Sequence, residues 1–272
     1  MRFLCLHGHG TNSRILETQL ELLRATLPCS WEFEFLDGEF DAAPAPGVKA
    51  IFPGPYLCYH GEPIPKDVQH AHNLVLDVIR EEGPFDGVIG FSQGAALAAA
   101  FIARQADISP SEEFFKVAVF IATSMPFDLD GDRIRLSYDG SSNLSAVQID
   151  AEGQASHDDQ CDWLEDCRSA SVIQEFEGRR PSTGELKHQN IEILLRYHPS
   201  THSQRIRIPT VHVVGIKDSY AEQGRDLALF CEPRKTQVVT HSGGHELPRD
   251  VGTVARVGEA IQVAVERVGF DV

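Results

Sequence analysis

The residues most able to do chemistry sit in Gly90-Phe91-Ser92-Gln93-Gly94, a G-x-S-x-G pattern between an apolar run, Phe85 to Phe91, and a run of small apolar residues, Gly94 to Arg104. Where such a pattern joins a strand to a helix, the strained turn lifts the serine hydroxyl above the sheet. The flanking glycines are then required, because a Cβ on either would collide with the neighbouring strand or helix. A serine hydroxyl is a weak nucleophile until a base takes its proton. Two partners stand in suitable places: Asp218, after the apolar run Pro209 to Gly215, and His245, in Ser242-Gly243-Gly244-His245-Glu246 after Thr236 to His241. His245 is expected to be the general base, with Asp218 fixing its tautomer. His241 falls at a strand end rather than in the following loop and is not expected to serve.

Acyl attack also creates an oxyanion, which needs N–H donors already in place. The expected donors are the backbone N–H of Gln93 and that of His9, in the turn His7-Gly8-His9-Gly10, where Gly8 and Gly10 permit close approach. His7 reads as a structural residue bonding within the turn. His198 and His202 have a spacing that could hold a metal, but neither a cysteine nor a paired carboxylate supports them. No metal and no cofactor is therefore expected.

These groups are far apart in sequence, so regular elements must gather them. Arg2 to Leu6 reads as a strand, followed by a helical pattern at Ile15, Leu16, Leu20, Leu22 and Leu23. Trp31 to Leu36 alternates as a half-exposed strand, and Lys66 to Glu82 carries a helical apolar face that Gly83-Pro84 ends. Phe85 to Phe91 and Lys116 to Ala122 are short buried strands flanking the small-residue helix Gly94 to Arg104. After Pro209 to Gly215, a helix over Tyr220 to Phe230, the strand Thr236 to His241 and a helix over Asp250 to Val268 resume the alternation. Strand–helix alternation implies a mostly parallel, doubly wound sheet, whose strands end along one edge where Ser92, Asp218 and His245 can meet. The order Ser, Asp, His is that of α/β-hydrolases.

Two stretches break the rhythm. Asp37 to Pro65, rich in proline and carrying Phe52, Tyr56 and Tyr59, reads as a long functional loop. Residues 125–204 have no βα period and hold 15 acidic and 7 basic residues. Within them Ser182-x-x-Glu185 suggests a capping box opening a helix through Ile191, Ile193, Leu194 and Leu195, and Ala146 to Asp150 suggests a strand. The expected organisation is a hydrolase core of residues 1–124 and 205–272, interrupted by an acidic cap or lid over 125–204. Phe52, Tyr56, Tyr59, Met125 and Phe127 are expected to wall an apolar acyl pocket.

Composition removes other classes. The chain has 272 residues and a formal charge of −16, which disfavours nucleic acid and anionic membrane surfaces as partners. Its longest apolar run, about ten residues, is half of what a spanning helix needs. The first residues are too short an apolar stretch for a secretory signal, and the six cysteines lack CxxC spacing. Both point to an intracellular, cytoplasmic protein with reduced thiols.

Leu4-Cys5-Leu6-His7-Gly8-His9-Gly10-Thr11-Asn12, Phe35-Leu36-Asp37, Gly54-Pro55-Tyr56, Phe85 through Ala95, and His212-Val213-Val214-Gly215 with Asp218 and His245 together resemble the fungal serine hydrolase (FSH) family. Within it, the Gly54-Pro55-Tyr56 loop and the long insertion look most like members that accompany fungal polyketide synthases. The resemblance covers roughly residues 1–124 and 205–272 and leaves the insertion outside. It implies an α/β-hydrolase that cleaves a thioester or ester, releasing a polyketide acid from the acyl carrier domain of a synthase or removing stalled chains. It also carries the triad to Ser92, Asp218 and His245. A carboxylesterase on small or lipophilic esters, an acyltransferase and a non-catalytic binding module are the alternatives.

Overall fold

The computed structural model describes residues 1–138, 144–154 and 191–268, which divide into two compact units. The larger comprises residues 1–61, 71–126 and 198–272, the smaller residues 62–70 and 127–197.

The larger unit is built on a six-stranded sheet in the order β11-β10-β6-β5-β1-β2. Its strands are β1 (Arg2–Leu6), β2 (Glu32–Leu36), β5 (Gly87–Phe91), β6 (Val117–Ile121), β10 (Thr210–Gly215) and β11 (Thr236–His241). Every neighbouring pair is parallel. Every residue of β5, β6 and β10 is buried, as a parallel sheet covered on both faces demands. The outer strand β2 alternates instead, and its Phe33 and Phe35 pack on the core while Glu32 and Glu34 stay exposed.

One face of the sheet, with Phe3, Cys5, Ile89, Val119, Val211 and Val213, forms a continuous core with α1 (Ser13–Gln19), α2 (Glu21–Arg24) and the C-terminal helix, here α6 (Val251–Val268). The sequence pattern from Ile15 to Leu23 thus belongs to two short helices joined at Leu20. On the sheet's strands β1, β5 and β6 also rests α4 (Gln93–Ile108), whose Ala95 to Ala100 are all buried. Only small side chains let a helix approach a sheet so closely. α3 (Pro65–Glu82) meets α4 through His72 and Phe101, with ring centroids 6.1 Å apart, and α5 (Ala221–Leu229) packs on β10.

The strand order reverses between β1, which leads outward to β2, and β5, which leads the other way to β6. In open parallel sheets the loops diverge at such a point and leave a crevice beyond the strand ends. The turn after β1 and the turn after β5 flank it here.

The smaller unit is antiparallel. β7 (Arg133–Tyr138) lies between β8 (Leu144–Ile149) and β9 (Ile191–Leu194). Ile134 opposes Ile193 and Leu136 opposes Ile191, and these join Val68, Phe127, Leu129, Leu194 and Leu195 in a separate core. On the other face Arg135 opposes Glu192, and Arg133 and Arg135 both bond that carboxylate, at 3.4 and 2.9 Å. The hydrogen bond from Arg135 holds the Glu192 carboxyl below its usual range. The strand expected at Ala146 to Asp150 is β8. The helix expected through Ile191 to Leu195 is instead the strand β9, because β7 supplies its hydrogen bonds and a matching apolar face. Ser182 and Glu185 lie outside the described residues. No helix among the described residues is long and apolar enough to cross a membrane.

Candidate active site

Ser92 follows β5 directly and caps α4 at φ 53° and ψ −116°, a conformation rare for a residue with a side chain. Its glycine neighbours make the turn possible. A Cβ on Gly90 would lie 2.4 Å from Cα of Ala95 in α4, and one on Gly94 would lie 2.3 Å from the carbonyl oxygen of Leu6 in β1. The Ser92 N–H donates to the Ile121 carbonyl at 2.9 Å, tying the turn to β6.

The other two groups arrive on loops that continue the β10–β11 pairing beyond the strands. The Ile216 and Lys217 amides donate to the carbonyls of His241 and Gly243 at 2.9 and 3.0 Å. Gly215 has no room for a Cβ, which would fall 2.2 Å from the Gly244 carbonyl oxygen. This contact holds the Asp218 loop and the His245 loop together. The Asp218 side chain is 1% exposed and accepts the Tyr220 N–H at 2.8 Å and Nδ1 of His245 at 2.9 Å. With Nδ1–H donating to a carboxylate, Nε2 of His245 is free to accept, and the Ser92 hydroxyl lies 2.8 Å from it. The imidazole, one-third exposed, is flanked by Phe91 and Tyr220, with ring centroids at 5.7 and 5.3 Å. Ser92, His245 and Asp218, 153 and 27 residues apart in sequence along that chain, form one hydrogen-bonded relay. Such a relay can deprotonate an alcohol and return the proton to a leaving group.

The turn after β1 lies against the same serine. Thr11 N–H donates to Gly8 C=O at 3.3 Å, which makes His9 and Gly10 the central residues of a β-turn, and Gly10 takes φ +71°. A Cβ on Gly8 would stand 3.3 Å from Cβ of Ser92 and 2.8 Å from the Phe91 ring. His9 is half-buried in this turn. Gln93 opens α4, so its N–H has no partner within the helix. The turn after β1 and the first residue of α4 thus both lie beside the serine.

His7 is wholly buried and structural. Its Nε2 accepts the Gly38 N–H at 2.9 Å, which leaves the proton on Nδ1, 2.8 Å from the Gly8 carbonyl. Burial lowers its pKa, so the ring stays neutral. His241, at the end of β11, accepts the Gly243 N–H at 3.2 Å on Nδ1 and makes no contact with Ser92.

The five residues expected around an acyl pocket take different places. Phe52 and Tyr56 are half-buried in the proline-rich loop, where the Tyr56 hydroxyl donates to the Phe52 carbonyl at 2.8 Å. Tyr59 corrects the expectation: it has no exposed surface, and its hydroxyl donates to Leu36 C=O at 2.8 Å and accepts His7 N–H at 2.9 Å. It braces the loop instead of walling a cavity. Met125 is buried, its N–H donating to Oε1 of Gln223 at 2.9 Å. Phe127 belongs to the core of the smaller unit, with the Arg196 guanidinium 4.0 Å over its ring.

Sequence reasoning missed three contributors. Tyr220 packs on His245, and nothing in its sequence neighbourhood announces that. Ala122, immediately after β6, holds φ +48°, which no residue pattern predicts for alanine. The Gln93 side chain bonds the backbone of Tyr59 and His60.

A family profile described as serine hydrolase (FSH1) matches residues 1–257 of the chain. The profile runs through the insertion, which corrects the expectation that the resemblance would leave 125–204 outside. The chain is 32% identical to a hydrolase, FUB4, from Fusarium oxysporum f. sp. lycopersici, covering 92% of each chain. It is also 32% identical to an esterase, alnB, from Emericella nidulans, covering 97% of this chain and 96% of that one. Among solved structures, a carboxylesterase from Mesorhizobium loti shares the fold at 12% identity and a TM-score of 0.50, over 96% of this chain and 88% of that one. A monoacylglycerol lipase from Paleococcus ferrophilus does so at 15% and 0.51, over 97% and 94%.

Proposed function

This chain belongs to the serine hydrolase (FSH1) family, and from that premise we propose that it cleaves an acyl thioester or ester through an acyl-enzyme on Ser92. The observation that carries the reading is the hydrogen-bonded chain from Ser92 through His245 to Asp218 on a strained turn.

Ser92 Oγ attacks the acyl carbonyl while His245 Nε2 takes its proton, and Asp218 holds the resulting imidazolium through Nδ1–H. The carbonyl oxygen becomes an oxyanion held by the backbone N–H groups of Gln93 and His9. Collapse of the tetrahedral adduct breaks the bond to the leaving group, which takes the proton from His245 and departs as a thiol or an alcohol, leaving the imidazole neutral. Water, deprotonated by His245, then attacks the acyl-enzyme. The acid leaves and Ser92 recovers its proton.

The substrate favoured here is an acyl thioester on a synthase carrier domain, released as a polyketide acid. The resemblance to family members that accompany polyketide synthases supports it. In the same reading residues 125–204 act as a cap that limits acyl size. The −16 charge favours a second reading, a carboxylesterase on uncharged esters, because carrier domains are themselves acidic.

A fluorophosphonate probe is expected to form one adduct that Ser92→Ala abolishes. The absence of an adduct on the wild type would defeat the enzyme reading. Turnover of a carrier-bound acyl thioester against the matching free ester separates the two substrates. Ester hydrolysis with no carrier activity would leave the carboxylesterase.

A further inference from the structure

Two peptide groups must hold one oxyanion from opposite sides of the crevice, yet they belong to unconnected parts of the chain. The amide of His9 lies in the turn after β1, and the amide of Gln93 opens α4. Their separation decides whether both can reach one oxygen, since donors must stand about 2.7–3.1 Å from it.

A single short segment touches both sides. At one end, Leu57, in β4 (Leu57–Cys58), accepts the Gly10 N–H at 2.9 Å and donates its own N–H to the Thr11 carbonyl at 2.7 Å. Asn12 reinforces this end by donating from Nδ2 to the Pro55 carbonyl at 2.7 Å. At the other end, Oε1 of Gln93 accepts the Tyr59 N–H at 2.9 Å, and its Nε2 donates to the His60 carbonyl at 2.8 Å. The Gln93 amide thus pairs with the loop as one strand residue pairs with another. Beneath it, the buried Tyr59 hydroxyl links His7 N–H to the Leu36 carbonyl, which fixes the segment against β1 and β2.

We propose that the side chain of Gln93 is a positioning residue: through the strut Leu57–His60 it sets the spacing between its own backbone N–H and that of His9. The inference rests on the oxyanion site of the proposed function. It assigns the side chain a task separate from that of the backbone. An amide is required because one end must accept and the other donate. Glutamate matches the shape, but as a carboxylate it can accept from Tyr59 and not donate to His60. Methionine matches the volume and does neither.

The test is steady-state hydrolysis of an activated ester, p-nitrophenyl butyrate, by the full-length wild type, Gln93→Met and Gln93→Glu. A group that tunes only the transition state lowers kcat and leaves KM nearly unchanged. Gln93→Met is expected to lose about ten- to a hundredfold in kcat with KM within about twofold, less than the 10²–10³ of an outright lost donor. Gln93→Glu is expected to approach the wild type as pH falls from about 7 to about 4, through the ordinary glutamate range, because a protonated carboxyl again donates. The ratio of variant to wild type cancels any pH dependence the two enzymes share. A folded Gln93→Met with wild-type kcat overturns the proposal, as does a Gln93→Glu ratio that stays flat with pH. If Gln93→Met does not fold, the glutamate ratio alone decides. A wild type that neither turns over the ester nor labels at Ser92 would instead defeat the proposed function.

Discussion

The two units of this chain differ in what their strands are for. In the larger, parallel strands buried on both faces leave the chemistry to their ends, where Ser92, Asp218 and His245 leave β5, β10 and β11 along one edge. In the smaller, antiparallel strands have one apolar face and one ion-paired face, and the described side chains make a core rather than a reactive cluster. A sheet whose strand ends are loops can carry a relay of widely separated residues. A hairpin sheet spends its alternation on burial.

Asp218→Asn is the sharpest way to break this comparison. The amide keeps the shape and loses the anion that fixes the Nδ1–H tautomer, so kcat on an activated ester is expected to fall by about 10³–10⁴ with the melting temperature unchanged. A loss under tenfold would mean that the relay at the sheet edge is not the reactive centre. Next in size is Ile134→Ala, at a fully buried position in the smaller core, expected to cost about 2–5 kcal/mol in that unit. Calorimetry should show a transition moving down while fluorophosphonate labelling of Ser92 at 25 °C persists. Loss of labelling together with that transition would make the two units energetically one.

The smallest effect concerns acid. His212, wholly buried in β10 against Phe120 with its ring 3.2 Å from Oγ1 of Thr210, is pushed down to about 3 from 6.5 by burial. Its folded-state pKa lies below the unfolded one, so the neutral ring contributes stability that is complete above about pH 6.5. That contribution is lost as the pH falls towards 3, because the unfolded chain binds the proton first. About 2 kcal/mol should be gone at pH 5. Urea unfolding of His212→Asn should show a shallower fall between pH 7 and pH 5 than the wild type. Parallel slopes would place the acid sensitivity elsewhere in the molecule.

Much of this was legible in the residues. β1 and β11 begin and end where their apolar runs do, and the elbow glycines have the steric duty the pattern implies, one against α4 and one against β1. Ile191 to Leu194 was not legible, because four residues with a single Glu fit a helical stripe as well as a strand. Its pairing with β7, some sixty residues earlier, settled the matter. Tyr59 misled for a related reason: an aromatic in a proline-rich loop reads as a pocket wall, and only the nearby His7 amide and Leu36 carbonyl show it to be a brace.

By itself the sequence determined the fold class, the strand–turn–helix elbow at Ser92 and the order of Ser92, Asp218 and His245 along the chain, because periodicity and turn chemistry are local and the elbow motif is contiguous. Only the tertiary structure decided which histidine nitrogen faces Ser92, which side chains lock His245, and how Gln93 ties two distant amides to one strut. Those are distances between residues far apart in the chain, and they exist only once the sheet has brought the ends of β1, β5, β10 and β11 together.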